Sequence, residues 1–228
     1  MNPITKIVLY LSKRAKKKRA NLFLRYFTIT PETKILDLGA SDGSHIAALL
    51  HGTNILPSNV YVADIDEGKV NSGTKRFGFT PVVIQESGKL PFPDGFFDIV
   101  FCNSVIEHVT IPKDEIWSLY SGNEFRKRSL LRQKEFADEI RQIGKGYWVQ
   151  TPNKWFPIES HAWLPFVALL PRPILILMLK VSNRIWVKQT SPDWYLLSKK
   201  EMTVLFPDAT LLNETFAGFT KSIICVKN

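Results

Sequence analysis

Three carboxylates near a glycine-containing turn have the chemical types and the spacing to bind a ligand. They are Asp37, Asp64 and Glu86, and each closes a short apolar segment. A carboxylate accepts hydrogen bonds and attracts positive charge. If the apolar segments are strands of a parallel sheet, their carboxyl ends lie at the edge where ligands bind. The three acids therefore favour a ligand that offers several donors and carries positive charge.

The turn lies between Gly39 and Gly43, directly after the first apolar segment. The residues that follow Gly43 have the apolar content of a helix, so we expect a strand, a tight turn and a helix N-terminus. A pyrophosphate site would need a G-x-G-x-x-G turn, whereas Asp42 places negative charge where the phosphate would lie. The chain also lacks a P-loop lysine motif. A nicotinamide dinucleotide and a nucleoside triphosphate are therefore disfavoured.

Strand and helix patterns alternate along the chain, which predicts an α/β fold with a mainly parallel sheet. We expect strands at residues 34–38, 59–64, 81–86, 97–102, 147–151, 209–216 and 221–226. We expect helices at residues 4–27, 125–143 and 198–206, and also after Gly43 and Asp66. The last two strands should be antiparallel. Residues 152–197, rich in proline and tryptophan, are interpreted as an insertion that caps the site.

Positive charge is concentrated at the beginning of the 228-residue chain. Residues 1–30 hold eight Lys or Arg and no acid, whereas residues 31–228 hold 22 basic and 21 acidic residues. We therefore divide the chain into a basic amphipathic arm (residues 1–30) and one domain (residues 31–228). The arm indicates an acidic partner, either an anionic membrane surface contacted through residues 6–25 or nucleic acid. A solvated helix face is the alternative interpretation.

Cysteine usage and hydropathy indicate the compartment. Cys102 and Cys225 lie in apolar runs, so they are interpreted as buried thiols and not as a disulfide framework or a metal site. We find no signal-peptide pattern, and prolines interrupt the apolar stretch of residues 163–181. These features predict a cytoplasmic protein that can touch the inner surface of a membrane.

Four motifs, taken in order, resemble those of class I S-adenosylmethionine-dependent methyltransferases of the type 11 group. They lie at residues 35–43, 62–66, 86–94 and 97–109, and the resemblance covers residues 34–151 and the terminal strands. It implies S-adenosylmethionine as the cofactor and a Rossmann-like, doubly wound sheet of seven strands, the last of them antiparallel. The chain departs from the family pattern at Ser41, where glycine is usual, and at Glu86, where Asp is common.

The resemblance also implies which residues bind the cofactor. These are Asp37, Gly39, Ala40, Ser41, Gly43, Asp64, Ile65, Glu86, Ser87 and Asn103. The turn residues and Asp37 would surround the methionine part, with Asn103 on the same side. The carboxylate of Asp64 would accept from the ribose hydroxyls, and Ile65 would lie against the adenine. Glu86 would accept from the adenine amino group, and Ser87 would contribute its backbone.

Methyl transfer from a sulfonium needs no metal, and alignment of the acceptor with the methyl group supplies much of the rate. We therefore predict no metal site. An oxygen or nitrogen acceptor must also lose a proton, which a nearby His or carboxylate assists. We expect His161 and Glu159, after the fifth strand, to serve in this way before His108, which follows the fourth strand. The alternative is that these side chains only fix their loops.

The insertion favours an acceptor that is small or amphipathic, including a lipid-linked one. Its large apolar residues would form a lid or a surface for an aliphatic substrate; they are Trp155, Phe156, Trp163, Phe166 and residues 174–179. The alternative for residues 174–179 is a core helix. Two other functions stay open. One is an RNA methyltransferase that uses the basic arm, although the nearly neutral domain disfavours nucleic acid; the other is a non-catalytic cofactor-binding protein.

Overall fold

The computed structural model describes residues 17–85 and 89–228, which form an α/β fold. Its strands are β1 (Ile35–Leu38), β2 (Val60–Asp64), β3 (Thr80–Val83), β4 (Phe97–Asn103), β5 (Gly144–Pro152), β6 (Thr210–Phe216) and β7 (Phe219–Lys227). Its helices are α1 (residues 17–26), α2 (Ser44–Leu49), α3 (Glu67–Phe77), α4 (Gly122–Ile143), α5 (Arg172–Ile185) and α6 (Lys199–Leu205).

The strands form one seven-stranded sheet in the order β3-β2-β1-β4-β5-β7-β6. β1 is parallel to β2, β2 is parallel to β3, and β6 and β7 form an antiparallel hairpin. All four residues of β1 are buried, as expected of a central parallel strand that is covered on both faces. The prediction of a mainly parallel sheet with an antiparallel last strand is confirmed.

The boundaries of several elements differ from the predicted ones. Two strands begin earlier than expected, β5 at Gly144 and β7 at Phe219. β3 begins at Thr80 and includes Pro81, which is tolerated because β3 is an edge strand and needs fewer N–H donors. It ends at Val83, before the predicted end at Glu86, which lies outside the described residues. α4 begins at Gly122, three residues earlier than expected. The part of the predicted first helix before residue 17 also lies outside the described residues.

Contacts divide the chain into two compact units. The first contains the described residues up to Phe101, together with Ile143–Trp148 and Asn228. Within it, the fully buried Phe23 of α1 packs against Phe101 and Trp148, at ring-centroid distances of 5.7 and 5.6 Å. The lysines of α1, Lys17 and Lys18, are exposed. This helix therefore joins the core of the first unit through an aromatic side chain and presents its charge to solvent.

The second unit contains Cys102–Gln142 and Val149–Lys227. Within it, the inner face of α5 packs in an apolar cluster formed by Ala162, Val167, Leu175, Leu179, Trp194 and Leu196. The buried guanidinium of Arg172 donates to the carbonyls of Ile116, Leu119 and Pro192 at 2.7 to 3.0 Å. Burial lowers the pKa of Arg172 to about 10. These bonds hold the first turn of α5 in place.

Two further expectations concern thiols and membrane spans. The thiols of Cys102 and Cys225 are both buried, which confirms that part of the prediction. Burial raises the pKa of Cys225 to about 12. Within residues 17–85 and 89–228, no helix combines the length and the apolar character required to cross a membrane.

A glycine in α3 allows that helix to approach the turn after β1. A Cβ atom at Gly73 would overlap the backbone carbonyl of Asp42, whereas one at Gly68, near the start of the same helix, would lie 3.4 Å from a carboxylate oxygen of Asp66. Backbone cannot move aside as a flexible side chain can. The contact between α3 and the turn therefore requires glycine at position 73.

We expect Gly73→Ala to destabilise the protein by about 1–3 kcal/mol, because the added methyl group must displace the turn or the helix. Gly68→Ala is the matched control and should be neutral or stabilising by up to about 1 kcal/mol, since alanine favours helix. Denaturant unfolding of both variants measures the difference. Equal stability of the two variants would contradict the close approach.

Candidate functional site

The turn between Gly39 and Gly43 is hydrogen-bonded to the end of β2. The backbone N–H groups of Gly39 and Ala40 donate to the carbonyl of Ala63 at 2.8 and 3.0 Å. The N–H of Ser41 donates to Oδ2 of Asp64 at 2.7 Å. The structure therefore brings together the turn and the acid at the end of β2, as the resemblance implied.

Left-handed backbone angles shape this turn. The φ angles of Gly39, Ser41 and Gly43 are 76°, 53° and 67°. A Cβ atom at Gly43 would also lie only 3.0 Å from a methyl group of Val62. The positive φ of Ser41 explains why glycine is usual at this position. A residue with a Cβ atom is destabilised by about 1–2 kcal/mol in the left-handed region. The turn nevertheless keeps its form with serine.

Asp37 is a buried carboxyl group near the end of β1. Its side chain is 3% exposed, and Oδ2 has no hydrogen-bond partner among the described residues. Burial, with the negative charge of Asp64 as a second cause, raises the pKa of Asp37 to about 8. An unsatisfied buried acceptor costs about 1–3 kcal/mol. A ligand with a donor or a positive charge would remove this cost, and the ammonium and sulfonium groups of S-adenosylmethionine offer both.

The other predicted cofactor residues are compatible with their implied roles. Asp64 is half-buried, and its oxygens, each of which accepts one backbone N–H, keep lone pairs for ribose hydroxyls. Ile65 is 45% exposed and offers an apolar surface to a flat ring. In the second unit, Asn103 ends β4 and has a buried Oδ1 without a described partner. Glu86 and Ser87 lie outside the described residues, so their roles stay predictions.

The second unit holds a group of acidic and histidine side chains that we call the histidine cluster: Glu107, His108, Glu159, His161 and Asp193. The rings of His108 and His161 meet edge to face, with centroids 4.6 Å apart. Oε1 of Glu107 lies 3.7 Å from Nε2 of His161. The three side chains that the sequence suggested for catalysis, His161, Glu159 and His108, thus lie in one cluster.

Glu159 fixes the ring of His161. Nδ1 of His161 lies 2.5 Å from Oε1 of Glu159, and the backbone N–H groups of His161 and Ala162 donate to the same carboxylate. Burial opposes the charge of Glu159, but the bonds from His161 outweigh it and lower its pKa. Burial alone would lower the pKa of His161, yet the carboxylates of Glu107 and Glu159 raise it to about 9. His161 therefore holds a proton at neutral pH unless another cation replaces it.

His108 has a partner that sequence reasoning missed. Its Nδ1 lies 3.3 Å from Oδ2 of Asp193. Burial disfavours the charge of Asp193, but the bond from His108 outweighs burial and lowers the pKa of Asp193. Asp193 is the first acid after Glu159 along the chain. Its position as an isolated acid after a long acid-free stretch is the sequence feature that could have indicated a role for Asp193.

Hydrogen bonds to backbone carbonyls position the segments that carry the cluster. The hydroxyl of Thr110 donates to the carbonyl of Asp193, and the N–H of Tyr195 donates to the carbonyl of Glu107, both at 2.8 Å. The buried amide of Gln133, from α4, donates to the carbonyls of Tyr195 and of the residue before Glu107. Glu107 and Asp193 are therefore held on a fixed frame.

A cleft of about 500 Å³ lies in the second unit. Aromatic and cationic residues of its lining include Phe125, Arg126, Lys154, Trp155, Trp194 and Tyr195. The ammonium of Lys154 lies 5.8 and 5.6 Å from the ring centroids of Trp155 and Tyr195, and Trp194 also stacks on His161 at 5.7 Å. Such a lining suits a ligand with an apolar part and an anionic group.

Comparison with known proteins agrees with the geometry of the turn. A family model described as "Methyltransferase domain" matches residues 36–119. A malonyl-[acyl-carrier protein] O-methyltransferase of Legionella pneumophila subsp. pneumophila is 31% identical over 157 residues, which are 67% of this chain and 51% of that protein. The chain therefore spans about half the length of this curated relative.

Solved structures share the fold. A magnesium protoporphyrin IX methyltransferase from Synechocystis PCC 6803 with bound SAH has a TM-score of 0.54 and 16% identity, and the match covers 99% of this chain and 87% of that one. The PH0226 protein from Pyrococcus horikoshii OT3 has a TM-score of 0.55 and 14% identity, with 95% and 89% covered. At such identities the likeness concerns the fold alone.

The sheet order and the turn at the end of β1 are those of a Rossmann-like α/β protein, a fold that binds its ligands at this edge of the sheet. The family match spans that turn, and the Legionella relative extends the similarity well beyond it. The chain belongs to the class I S-adenosylmethionine-dependent methyltransferases, and S-adenosylmethionine is the cofactor of this family. When bound, the cofactor supplies the methyl group, and the residues of the turn, with Asp37 and Asp64, would hold and orient it.

We expect Asp37 to make cofactor affinity depend on pH. Below pH 8 the free carboxyl group is mostly protonated and lacks the charge that attracts a cation, so affinity should rise as the pH increases from about 6 to 8. Because the cofactor's own amino group titrates near pH 8, the quantity to measure is the ratio of the dissociation constants of Asp37→Asn and the unmodified protein. Calorimetric titration with S-adenosylmethionine should show this ratio growing severalfold across that range. A ratio that stays constant would contradict the assigned role of Asp37.

Proposed function

We propose that this protein transfers a methyl group from S-adenosylmethionine to an oxygen or nitrogen atom of an amphipathic acceptor that it meets at an anionic lipid surface. The observation that carries the proposal is the outer face of α5. The exposed fractions of Ile174, Leu177, Val181 and Ile185 are 53%, 65%, 52% and 82%. Their spacing places them in one stripe along the helix.

This stripe is separate from the packed face of α5. Leu175, Ile176 and Leu179 are buried on the inner face, whereas the stripe extends toward the exposed Trp186 and Val187 at the end of the helix. The sequence left two alternatives for this run, a core helix or a lipid-contacting surface. Because α5 is apolar on both faces, its inner face can pack in the core while its outer face contacts lipid.

The charge around the stripe matches an anionic surface. No acid occurs between Glu159 and Asp193, whereas Lys180 and Arg184 are exposed on α5 itself. An apolar stripe flanked by cations is typical of helices that lie in the headgroup region. Each cation near such a surface contributes about 1 kcal/mol.

The cleft and the histidine cluster support the acceptor side of the proposal. Arg126 and Lys154 can receive an anionic group, while the aromatic lining receives an apolar part. The name of the Legionella relative specifies an oxygen acceptor, which favours oxygen here. We propose that His161, Glu159 and His108 bind and orient the acceptor, whose alignment with the methyl group supplies much of the rate.

Replacing Leu177, which is 65% exposed, should weaken lipid binding. We expect Leu177→Glu to reduce binding to vesicles of phosphatidylcholine and phosphatidylglycerol at least tenfold, since burying one Leu side chain contributes about 1.5–3 kcal/mol. Leu131→Glu is the matched control, because Leu131 is 59% exposed on α4, and should bind like the unmodified protein. Cosedimentation of the full chain at low salt measures both.

Two outcomes would remove the lipid proposal. One is the absence of cosedimentation for the unmodified protein at low salt. The other is a concentration-dependent dimer that Leu177→Glu dissociates, because the stripe would then be covered by a second copy of the chain.

The activity itself is tested with radiolabelled S-adenosylmethionine and extracts of cellular lipid and RNA. We expect label in the lipid fraction, and we expect His161→Ala to cut turnover at least tenfold with unchanged cofactor affinity, because the acceptor would no longer be aligned with the methyl group. His51→Ala, at an exposed histidine, is the control and should keep full turnover.

Other results of this assay would favour one of the two alternative functions, an RNA methyltransferase or a non-catalytic cofactor-binding protein. Label confined to RNA, with binding that weakens steeply as salt increases, would favour an RNA methyltransferase. Cofactor binding without any labelled product would favour a non-catalytic protein. Unchanged turnover of His161→Ala would remove the role given to the histidine cluster.

A further inference from the structure

Three side chains of the histidine cluster converge on one point. One ligand atom from each of Glu107, His108 and His161 lies within 4.8 Å of the other two. Oε1 of Glu107 and Nε2 of His161 are 3.7 Å apart. Two ligands bound to a tetrahedral Zn²⁺ at about 2.0–2.1 Å lie about 3.4 Å from each other. The Glu107–His161 pair is within a few tenths of an ångström of this separation. The widest of the three pairs would have to close by up to about 1.4 Å.

Each of these side chains has its own supporting partner. Nδ1 of His161 is hydrogen-bonded to Glu159, and Nδ1 of His108 lies 3.3 Å from Asp193. A metal-binding histidine usually donates its other ring N–H to a carboxylate or carbonyl, which fixes the ring and leaves one nitrogen for the metal. In both histidines this arrangement leaves Nε2 for a ligand.

Glu107 supplies an independent observation. Its side chain is fully buried, and the hydroxyl of Thr151 donates to Oε2 at 3.0 Å. The other oxygen, Oε1, is buried and accepts no hydrogen bond from a described residue. It is the oxygen that faces His161, at a distance longer than a hydrogen bond. A fully buried carboxylate oxygen without a donor requires a positive partner.

We propose that Glu107, His108 and His161 bind one divalent transition-metal ion, with Glu159, Asp193 and Thr151 as the groups that orient them. Two imidazoles and one carboxylate suit Zn²⁺, Fe²⁺ or Co²⁺, whereas Mg²⁺ and Ca²⁺ prefer oxygen ligands. Three protein ligands leave a position open to water or to an acceptor oxygen. The proposal departs from the sequence prediction of no metal site, because His161 follows β5 and only the fold brings it to Glu107 and His108.

A bound proton on His161 is the competing explanation of the cluster. It accounts for the short contact between His161 and Glu159, since an imidazolium between two carboxylates is stable. It leaves Oε1 of Glu107 3.7 Å from Nε2 of His161, which is longer than a hydrogen bond, and it does not account for the orientation of His108 by Asp193. A metal ion in contact with all three side chains accounts for each of these observations.

The test measures metal content without acceptor or cofactor, so its outcome does not depend on methyl transfer. The full chain is stripped with a chelator, loaded with Zn²⁺ or Co²⁺, dialysed and analysed by mass spectrometry for bound metal. We expect one equivalent per chain, together with the visible absorption of Co²⁺ bound to protein. Glu107→Gln and His161→Ala should weaken affinity at least tenfold, and Asp193→Asn, an orienting residue, should weaken it about 10–100-fold.

His51→Ala is the matched control and should retain the full equivalent. Glu107→Gln keeps the shape of the side chain, and its melting curve without metal shows whether the variant is folded. The proposal would be overturned if the unmodified protein retained no metal. It would equally be overturned if folded Glu107→Gln and His161→Ala kept the affinity of the unmodified protein.

Discussion

Two carboxyl groups are buried with fewer hydrogen-bond donors than their oxygens can accept. The rest of both candidate sites depends on how the negative charge of these groups is stabilised. Asp37 lies near the end of β1 and Glu107 follows β4, and each has one buried oxygen without a described partner. Burial of a charge is unfavourable unless a counter-charge or donors accompany it. In Asp37 the result is a pKa of about 8. A cationic cofactor at Asp37 and a metal ion at Glu107 would each supply the missing positive charge.

The fold places these groups by a small number of local arrangements. Left-handed residues let the chain turn immediately after β1, and hydrogen bonds from the turn to Ala63 and Asp64 join it to β2. In the second unit, Gln133 and Tyr195 fix the segment of Glu107, while Glu159 closes its own loop around His161. Rigid backbone thereby holds side chains whose charges would otherwise be costly to bury.

Much of this was predictable because it depends on local patterns. Apolar runs of strand length located β1, β2 and β4, and the spacing of Gly39 and Gly43 excluded a pyrophosphate turn. Ser198 was expected to begin α6, and it forms a capping box with Glu201. His161, Glu159 and His108 were suggested because residues that follow neighbouring parallel strands lie at the same edge of the sheet.

Features that depend on tertiary contact were not predictable. The requirement for glycine at Gly73 exists only because α3 meets the backbone of Asp42. Asp193 pairs with His108 across a long separation in sequence. Because such contacts are invisible in the sequence, no metal ligands were predicted, although Glu107, His108 and His161 lie close enough together to bind one ion.

If the buried carboxyl group of Asp37 ionises to receive the cationic cofactor, it must release a proton on binding, and this proton can be counted. Calorimetric titration with S-adenosylmethionine at pH 7, in two buffers of different ionisation enthalpy, gives the number of protons released per cofactor bound. With a pKa of about 8, Asp37 should release about 0.9 proton, and Asp37→Asn should release none from this position. Equal proton release by the two proteins would contradict the claim.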